Sequence, residues 1–253
     1  MSAGAVEVAE QQKDNLCGPF WAMQVLRESG IERWAGEPVD EDLIALRAGS
    51  TLPDEPGEAS VPPGAASKRD YRVVLPIVPA AEAGTAAGAL AGAIEAASGG
   101  ALCCVPVRGA WTAERVEGLV ERGRGLGGRL VANLRTGLLW GSRPPQEALL
   151  AELDGRPAPD TPPDWDVGHF CELSLLLRGP GGTLVLVRDS YPSLGWGGQH
   201  LQPPRAVAAA LRRDDGREGG VLAVVSVSGT KPMQDLVRDL GLEVGIWDNG
   251  TRR

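Results

Sequence analysis

The chain has 253 residues, a formal net charge of −8 and no cluster of Lys and Arg, so it lacks the basic surface that tracks a nucleic-acid backbone. No apolar run approaches the length of a membrane span, and no basic-then-apolar signal pattern begins the chain, so we expect a cytoplasmic protein without membrane partners. Four Cys without a Cys-x-x-Cys pair, together with only two His, argue against a disulfide framework and a structural zinc site, and we expect no cofactor.

Hydrophobic periodicity and turn residues divide the chain into alternating helices and strands. Two long stretches, 49–69 and 155–167, are rich in Pro, Gly and acidic residues and are predicted to be loops, the first of them exposed. The alternation over 71–135 indicates a small α/β layer. In chain order, we predict helices over 17–29, 39–47, 84–98, 113–122, 144–153, 203–213 and 233–240, and strands over 71–78, 101–107, 129–135, 169–178, 183–189, 220–228 and 242–247.

Cys17 lies where the polar run 11–15 meets the first predicted helix. Asp14 and Asn15 are candidate caps for that helix because their side chains can accept hydrogen bonds from its first N–H groups. Free N–H groups and the positive end of the helix dipole favour a thiolate over a thiol at this position. The sequence therefore predicts that Cys17 is a nucleophile.

A base and a group to orient it are predicted from a hairpin later in the chain. His169 opens the first strand, Asp189 closes the second, and Gly179–Gly182 forms the turn, so antiparallel pairing brings the two side chains together. His169 would pair with the Cys17 thiolate and later protonate a leaving amine, while Asp189 would fix the ring tautomer. The Cys17 N–H and the Gln11 amide are the expected oxyanion donors.

Three segments of the chain resemble those of papain-like cysteine peptidases. The run from Cys17 through Gly18 and Trp21 to Ala22 is similar to their Cys-Gly-x-x-Trp-Ala motif, with Gln11 six residues before the Cys, as in that family. Gly168-His169-Phe170 resembles the His strand. The segment Asp189-Ser190-Tyr191, followed by Gly195-Trp196-Gly197, resembles their Asn-Ser-Trp-Gly segment with Asp in place of Asn. The chain is also similar to papain-fold peptidases that remove leader peptides from bacteriocin precursors.

This resemblance implies an α+β papain-like fold and a cysteine peptidase that acts on a peptide or protein substrate. We expect one domain over 1–253, with a helical half that carries Cys17 over 1–70 and a β-sheet half that carries His169 and Asp189 over 156–253. Residues 71–155 would form an α/β insertion. The resemblance also implies that Gly18, Trp21, Gly168 and Ser190 support the substrate cleft and that Trp196 shields the His–Asp pair from water.

Several assignments remain open at this stage. Gln12 is the alternative to Gln11 as oxyanion donor, and His200, expected on the surface, is the alternative base. Cys103, Cys104 and Cys171 are expected to be core residues, with Cys171 near the site. Two other functions are compatible with the pattern: acyl transfer by a papain-fold amidase or ligase, and peptide binding without catalysis. The sequence does not indicate an oligomeric state.

Overall fold

A computed structural model of the chain describes residues 10–55 and 61–251, and in these ranges the fold is a mixed α+β structure, as predicted. Its helices are α1 (Cys17–Glu28), α2 (Glu41–Arg47), α3 (Ala87–Ala97), α4 (Ala113–Gly125), α5 (Gln146–Leu153), α6 (Pro204–Arg212) and α7 (Thr230–Asp239). Its strands are β1 (Arg33–Trp34), β2 (Glu37–Pro38), β3 (Leu52–Pro53), β4 (Ile77–Val78), β5 (Leu102–Arg108), β6 (Arg129–Arg135), β7 (Gly168–Arg178), β8 (Thr183–Arg188), β9 (Gln199–Gln202), β10 (Gly220–Ser226) and β11 (Glu243–Val244).

One seven-stranded antiparallel sheet in the order β11-β5-β10-β6-β7-β8-β9 organises the described chain. Residues 71–155 were predicted to form an α/β insertion, but this prediction is wrong, because β5 and β6 lie inside the same sheet as β7 and β8. The strand β10, which comes from the C-terminal part of the chain, pairs with both of them. Residues 71–155 therefore supply central strands of the fold.

Helices cover both faces of this sheet, and each face has its own apolar core. Because side chains alternate along a strand, Phe170 of β7 packs towards α1 and α3, whereas Cys171 packs towards α4, α6 and α7. Helix α1, which carries Cys17, lies directly against β7, which carries His169. Of the other cysteines, Cys104 and Cys171 are buried as predicted, and Cys103 is partly exposed.

The predicted helices are confirmed to within a few residues, and two of them begin at side-chain caps. Thr112 accepts a hydrogen bond from the Arg115 N–H at the start of α4, and Asp40 accepts one from the Leu43 N–H at the start of α2. The strand predicted over 71–78 is reduced to β4, and β9 was not predicted. Within the described residues, no helix combines the length and apolarity needed to cross a membrane.

Most of the described residues of the 49–69 loop are exposed, as predicted, but the loop also contacts the segment before α1. Residues 56–60 lie outside the described residues, but the segment after them packs against the approach to α1. Asp14 is fully buried there, and its carboxylate accepts hydrogen bonds from the Ser67 hydroxyl (2.5 Å), the Lys68 N–H (3.0 Å) and Arg69 Nε (3.1 Å). This loop thus fixes the segment that leads to Cys17.

Candidate active site

Cys17 is the first residue of α1, and the start of this helix lacks a side-chain cap. Asp14 was predicted as a cap, but it binds the 67–69 loop instead, and Asn15 takes a left-handed backbone conformation with φ of 62°. Among the described residues, none accepts a hydrogen bond from the N–H of Cys17 or Gly18. The sulfur of Cys17, the predicted nucleophile, therefore lies beside two helix N–H groups that remain available as hydrogen-bond donors.

Gly18 allows α1 to approach the sheet closely. A Cβ added at this position would lie 3.2 Å from Leu90 Cδ2 and 3.3 Å from Phe170 Cδ2, which is tighter than ordinary van der Waals contact. Leu90 belongs to α3 and Phe170 follows His169 on β7. The absence of a side chain at Gly18 thus sets the distance between the elements that carry Cys17 and His169.

His169 and Asp189 come together at one end of the β7–β8 hairpin, as the sequence predicted. Both are buried, and His169 Nε2 lies 3.2 Å from Asp189 Oδ1. Asp189 is held in turn, because its Oδ1 accepts a hydrogen bond from the Tyr191 N–H (3.1 Å) and its own N–H donates to the Gly198 carbonyl (2.6 Å). Since Nε2 faces Asp189, Nδ1 is the ring nitrogen that remains for Cys17.

The electrostatics of the pair favour a charged imidazole. Burial alone disfavours the imidazolium, but the Asp189 charge and hydrogen bond, with a smaller contribution from a hydrogen bond to Cys17, raise the pKa of His169 from 6.5 to about 10. Burial likewise opposes ionisation of Asp189, but the His169 charge and hydrogen bond lower the pKa of that carboxyl well below its ordinary value. The direction of both shifts favours an imidazolium–carboxylate pair, and Cys17 contributes a further hydrogen bond to the ring.

Two aromatic rings cover His169, and neither is the one that was predicted. Trp165 meets the imidazole edge-on at 5.1 Å, and Tyr191 stacks on it at 6.0 Å. Trp196 is 55% exposed and makes none of the ring contacts to His169 seen in the described chain. The expectation that Trp196 shields the pair is wrong, because the Gly-rich turn that follows Asp189 directs this ring to the surface.

The two neighbouring glutamines occupy different environments. Gln11 was predicted to be the oxyanion donor, but its Nε2 donates to the Ala66 carbonyl (2.5 Å) instead. Gln12 is buried, and its Oε1 accepts a hydrogen bond from Ser190 Oγ (2.5 Å), while its N–H donates to the Ser190 carbonyl (3.1 Å). Ser190 Oγ also lies 3.5 Å from His169 Nε2. Gln12 and Ser190 therefore connect the segment before Cys17 to the His–Asp pair.

His200 was expected on the surface, but it is buried on the far side of Asp189. Gln202 Oε1 accepts a hydrogen bond from the Trp140 N–H (2.7 Å), which fixes the orientation of this amide. Gln202 Nε2 must then donate to His200 Nδ1 (2.9 Å), and the remaining ring proton lies on Nε2. His200 Nε2 is 3.9 Å from Asp189 Oδ2. Asp189 thus lies between two imidazoles. The i, i+2 spacing of His200 and Gln202, which puts both side chains on one face of a strand, could have predicted their contact.

A cleft of about 310 Å³ opens over Cys17 and includes Gly168 in its wall. A larger cleft of about 500 Å³ reaches Asp189 from the side of Trp21 and Arg188, but Cys17 does not line it. His169 lines neither cleft, although its neighbours Gly168 and Phe170 line the smaller one. Trp21 is buried in the core, with the Arg188 guanidinium 5.5 Å from its ring centroid, so it supports α1 from behind. The cleft that contains the sulfur is the one available to a substrate of Cys17.

Among the described residues, no group of three or more His, Cys, Asp or Glu side chains is arranged to ligate a metal ion.

Comparison with known proteins identifies the family of the chain. No curated protein and no solved structure matches the sequence. Residues 3–248 match a family of unknown function, DUF6885, and the chain belongs to that family.

Proposed function

We propose that this protein is a papain-like cysteine peptidase that cleaves amide bonds of a peptide or protein substrate through an acyl-enzyme. The observation that carries the proposal is the meeting of Cys17, His169 and Asp189, which come from separate parts of the chain. A Cys beside an imidazole that a carboxylate orients is the arrangement expected of a nucleophile and its base. The antiparallel sheet with the Cys helix packed across it supports a papain-like architecture.

In this mechanism, Cys17 Sγ attacks the carbonyl carbon of the scissile amide as the thiolate. The oxygen takes up the negative charge and accepts a hydrogen bond from the Cys17 N–H, which no side chain of the described residues blocks. The imidazolium of His169 gives its proton to the leaving nitrogen as the C–N bond breaks, which produces a thioester and a free amine. His169 then removes a proton from the water that attacks the thioester. The C–S bond breaks, the acyl group leaves as a carboxylic acid, and the Cys17 thiolate and His169 imidazolium are restored.

Asp189 and the aromatic rings have supporting roles in this scheme. Asp189 stabilises the imidazolium and fixes which nitrogen faces Cys17. Trp165 and Tyr191 limit the access of water to the His–Asp hydrogen bond, which strengthens it because water would otherwise compete for both partners. Gln12 and Ser190 hold the segment before Cys17 in register with the pair.

The test is turnover of a peptide library by the wild type, Cys17→Ala and Cys103→Ala, with products identified by mass spectrometry. Cys103→Ala is the matched control because Cys103 is also partly exposed and lies on β5. We expect Cys17→Ala to reduce turnover by at least about 10³-fold and Cys103→Ala to leave it unchanged. Full activity of folded Cys17→Ala would contradict the proposal. Products that gain an amine instead of water would assign acyl transfer to the same residues.

A further inference from the structure

The cleft over Cys17 has a polar wall that the peptidase mechanism does not use. Two arginines, Arg213 and Arg217, line it together with one acidic side chain, Glu55. Asn133 and Asn249 add amide groups to the same wall. The two guanidinium groups and the two amides give one part of this cleft donors that suit an anionic substituent.

Arg213 is a basic residue that lies close to the candidate base. It follows α6, and its guanidinium lies against Gly168, the residue before His169. A Cβ at Gly168 would lie 3.2 Å from both Nη1 and Nη2 of Arg213. The side chain of Arg213 is only 1% exposed. Because Gly168 has no side chain, the guanidinium can pack against the backbone one residue before His169.

One edge of this guanidinium is occupied and the other is not. Asp215 accepts hydrogen bonds from Arg213 Nε (2.9 Å) and Nη2 (2.5 Å). Among the described residues, none accepts a hydrogen bond from Nη1. Because Arg213 lines the cleft, Nη1 is available as a charged donor to a group that enters the cleft.

The backbone at Arg213 is strained as well. Its φ of 58° and ψ of 169° fall in a region that is open to glycine and costs other residues about 1–3 kcal/mol. Glycine would relieve this strain, yet the chain places an arginine here. Strained conformations of this kind cluster at binding and catalytic sites, where the side chain is required in one position.

We propose that Arg213 binds a carboxylate of the substrate next to the scissile bond, with Nη1 as a donor and Asp215 holding the opposite edge. This inference rests on the proposed peptidase function, because the carboxylate belongs to the chain that Cys17 cleaves. A single planar carboxylate suits the free edge of the guanidinium. Asp215 and Glu55 lie near it and disfavour a more highly charged group such as phosphate.

The test compares two alkylating agents that differ only in charge. Iodoacetate and iodoacetamide share the reacting carbon and leaving group, so the ratio of their rates at Cys17 reports attraction of the carboxylate. A second pair of reagents, 3-maleimidopropionate and its amide, places the carboxylate or amide group farther from the sulfur. We expect Arg213→Gln to lower at least one of these ratios about tenfold, because it removes a charge-assisted hydrogen bond. The charge of His169 acts equally in both proteins.

Two control variants make the result specific. Arg213→Gly suits the backbone conformation and keeps the test valid if the Gln variant does not fold. Arg217→Gln removes a second charge from the same cleft and is expected to change the ratios less than twofold. Equal losses in the Arg217 and Arg213 variants would overturn the proposal, since they would mean general attraction of anions. Unchanged ratios in the Arg213 variants would overturn it too.

The neutral reagents separate this inference from the proposed function. If iodoacetamide fails to label Cys17 in the wild type, the nucleophile assignment fails. If it labels Cys17 but the ratios do not depend on Arg213, only the carboxylate site fails. Cleavage of peptides that carry Glu or Gln, and of peptides with free or amidated C termini, then identifies the source of the carboxylate. The absence of any preference in both comparisons would contradict the proposal.

Discussion

At the scale of single residues, the central interaction is the one between His169 and Asp189. Asp189 overcomes the desolvation of the imidazole and raises the pKa of His169 to about 10. Because the pKa is raised in the folded state, the interaction stabilises the fold fully below pH 6.5. This contribution is lost as the pH rises towards 10.

Asp189→Asn should therefore shift the alkaline limit of activity. The variant keeps the shape of the side chain but loses the negative charge, so the imidazolium should lose its proton at lower pH. We expect the upper limb of the turnover–pH profile to move down by at least about one pH unit, and turnover at neutral pH to fall. An unchanged upper limb in a folded Asn variant would show that Asp189 does not set the charge of His169.

The sequence predicted these residues because each belongs to a local pattern. Cys17 lies at a helix start, and His169 and Asp189 lie at the paired ends of one hairpin. Gln11 and Gln12 could not be distinguished in this way, since they are adjacent in an irregular segment. Their orientations depend on packing against residues 66 and 190, which are distant in sequence.

At the scale of elements, the contact between α1 and β7 positions the sulfur relative to the imidazole. Gly18 sets this distance, and Gly92 of α3 provides a matched control because a Cβ there would meet no atom within 4 Å. We expect Gly18→Ala to lower the free energy of unfolding by about 1–3 kcal/mol through overpacking, and to reduce turnover because Cys17 is displaced. Gly92→Ala should stabilise the fold by about 0.5–1 kcal/mol.

Urea denaturation of both glycine variants, followed by turnover assays under native conditions, measures these effects. Equal stability of the two variants would contradict the close approach of α1 and β7. A stable Gly18→Ala protein with full activity would show that the distance between these two elements is not critical for the chemistry.

Most elements could be predicted because their apolar periodicity is local, but their pairing could not. Strands β5 and β6 were expected from their apolar runs, and their place in the main sheet depends on β10. This strand begins 118 residues after the start of β5 and 91 residues after the start of β6. Hydrophobic patterns give the faces of a strand but not its partners. The two-residue strands β1 to β4 are too short for any periodicity to be detected.

At the scale of the whole molecule, a buried ionic network ties several elements together. Glu172 of β7 is fully buried, and its carboxylate accepts hydrogen bonds from Arg129 Nε (2.5 Å), Arg188 Nη1 (2.8 Å) and Arg124 Nη1 (3.5 Å). These arginines belong to β6, β8 and α4. The network joins strands from the middle of the chain to the hairpin that carries the candidate base.

Glu172→Gln should destabilise the protein strongly, because it removes the buried charge that three guanidinium groups share, and Glu28 pairs with only two of them. We expect a loss of about 3–5 kcal/mol in the free energy of unfolding. The control is Glu117→Gln, which affects a partly exposed pair with Arg178 and should cost less than about 1 kcal/mol. Thermal or urea unfolding of both variants tests this, and similar losses in the two would show that the buried network is not specifically important.

The most direct test of the account is the rate at which iodoacetamide alkylates Cys17 at pH 6, measured by peptide mapping in the wild type and in His169→Asn. A positively charged imidazole against the sulfur should increase the reactivity of Cys17 towards an alkylating agent. We predict that Cys17 reacts at least about tenfold faster in the wild type than in His169→Asn, and faster than the partly exposed Cys103 in the same protein. Equal rates for Cys17 in both proteins would contradict the account.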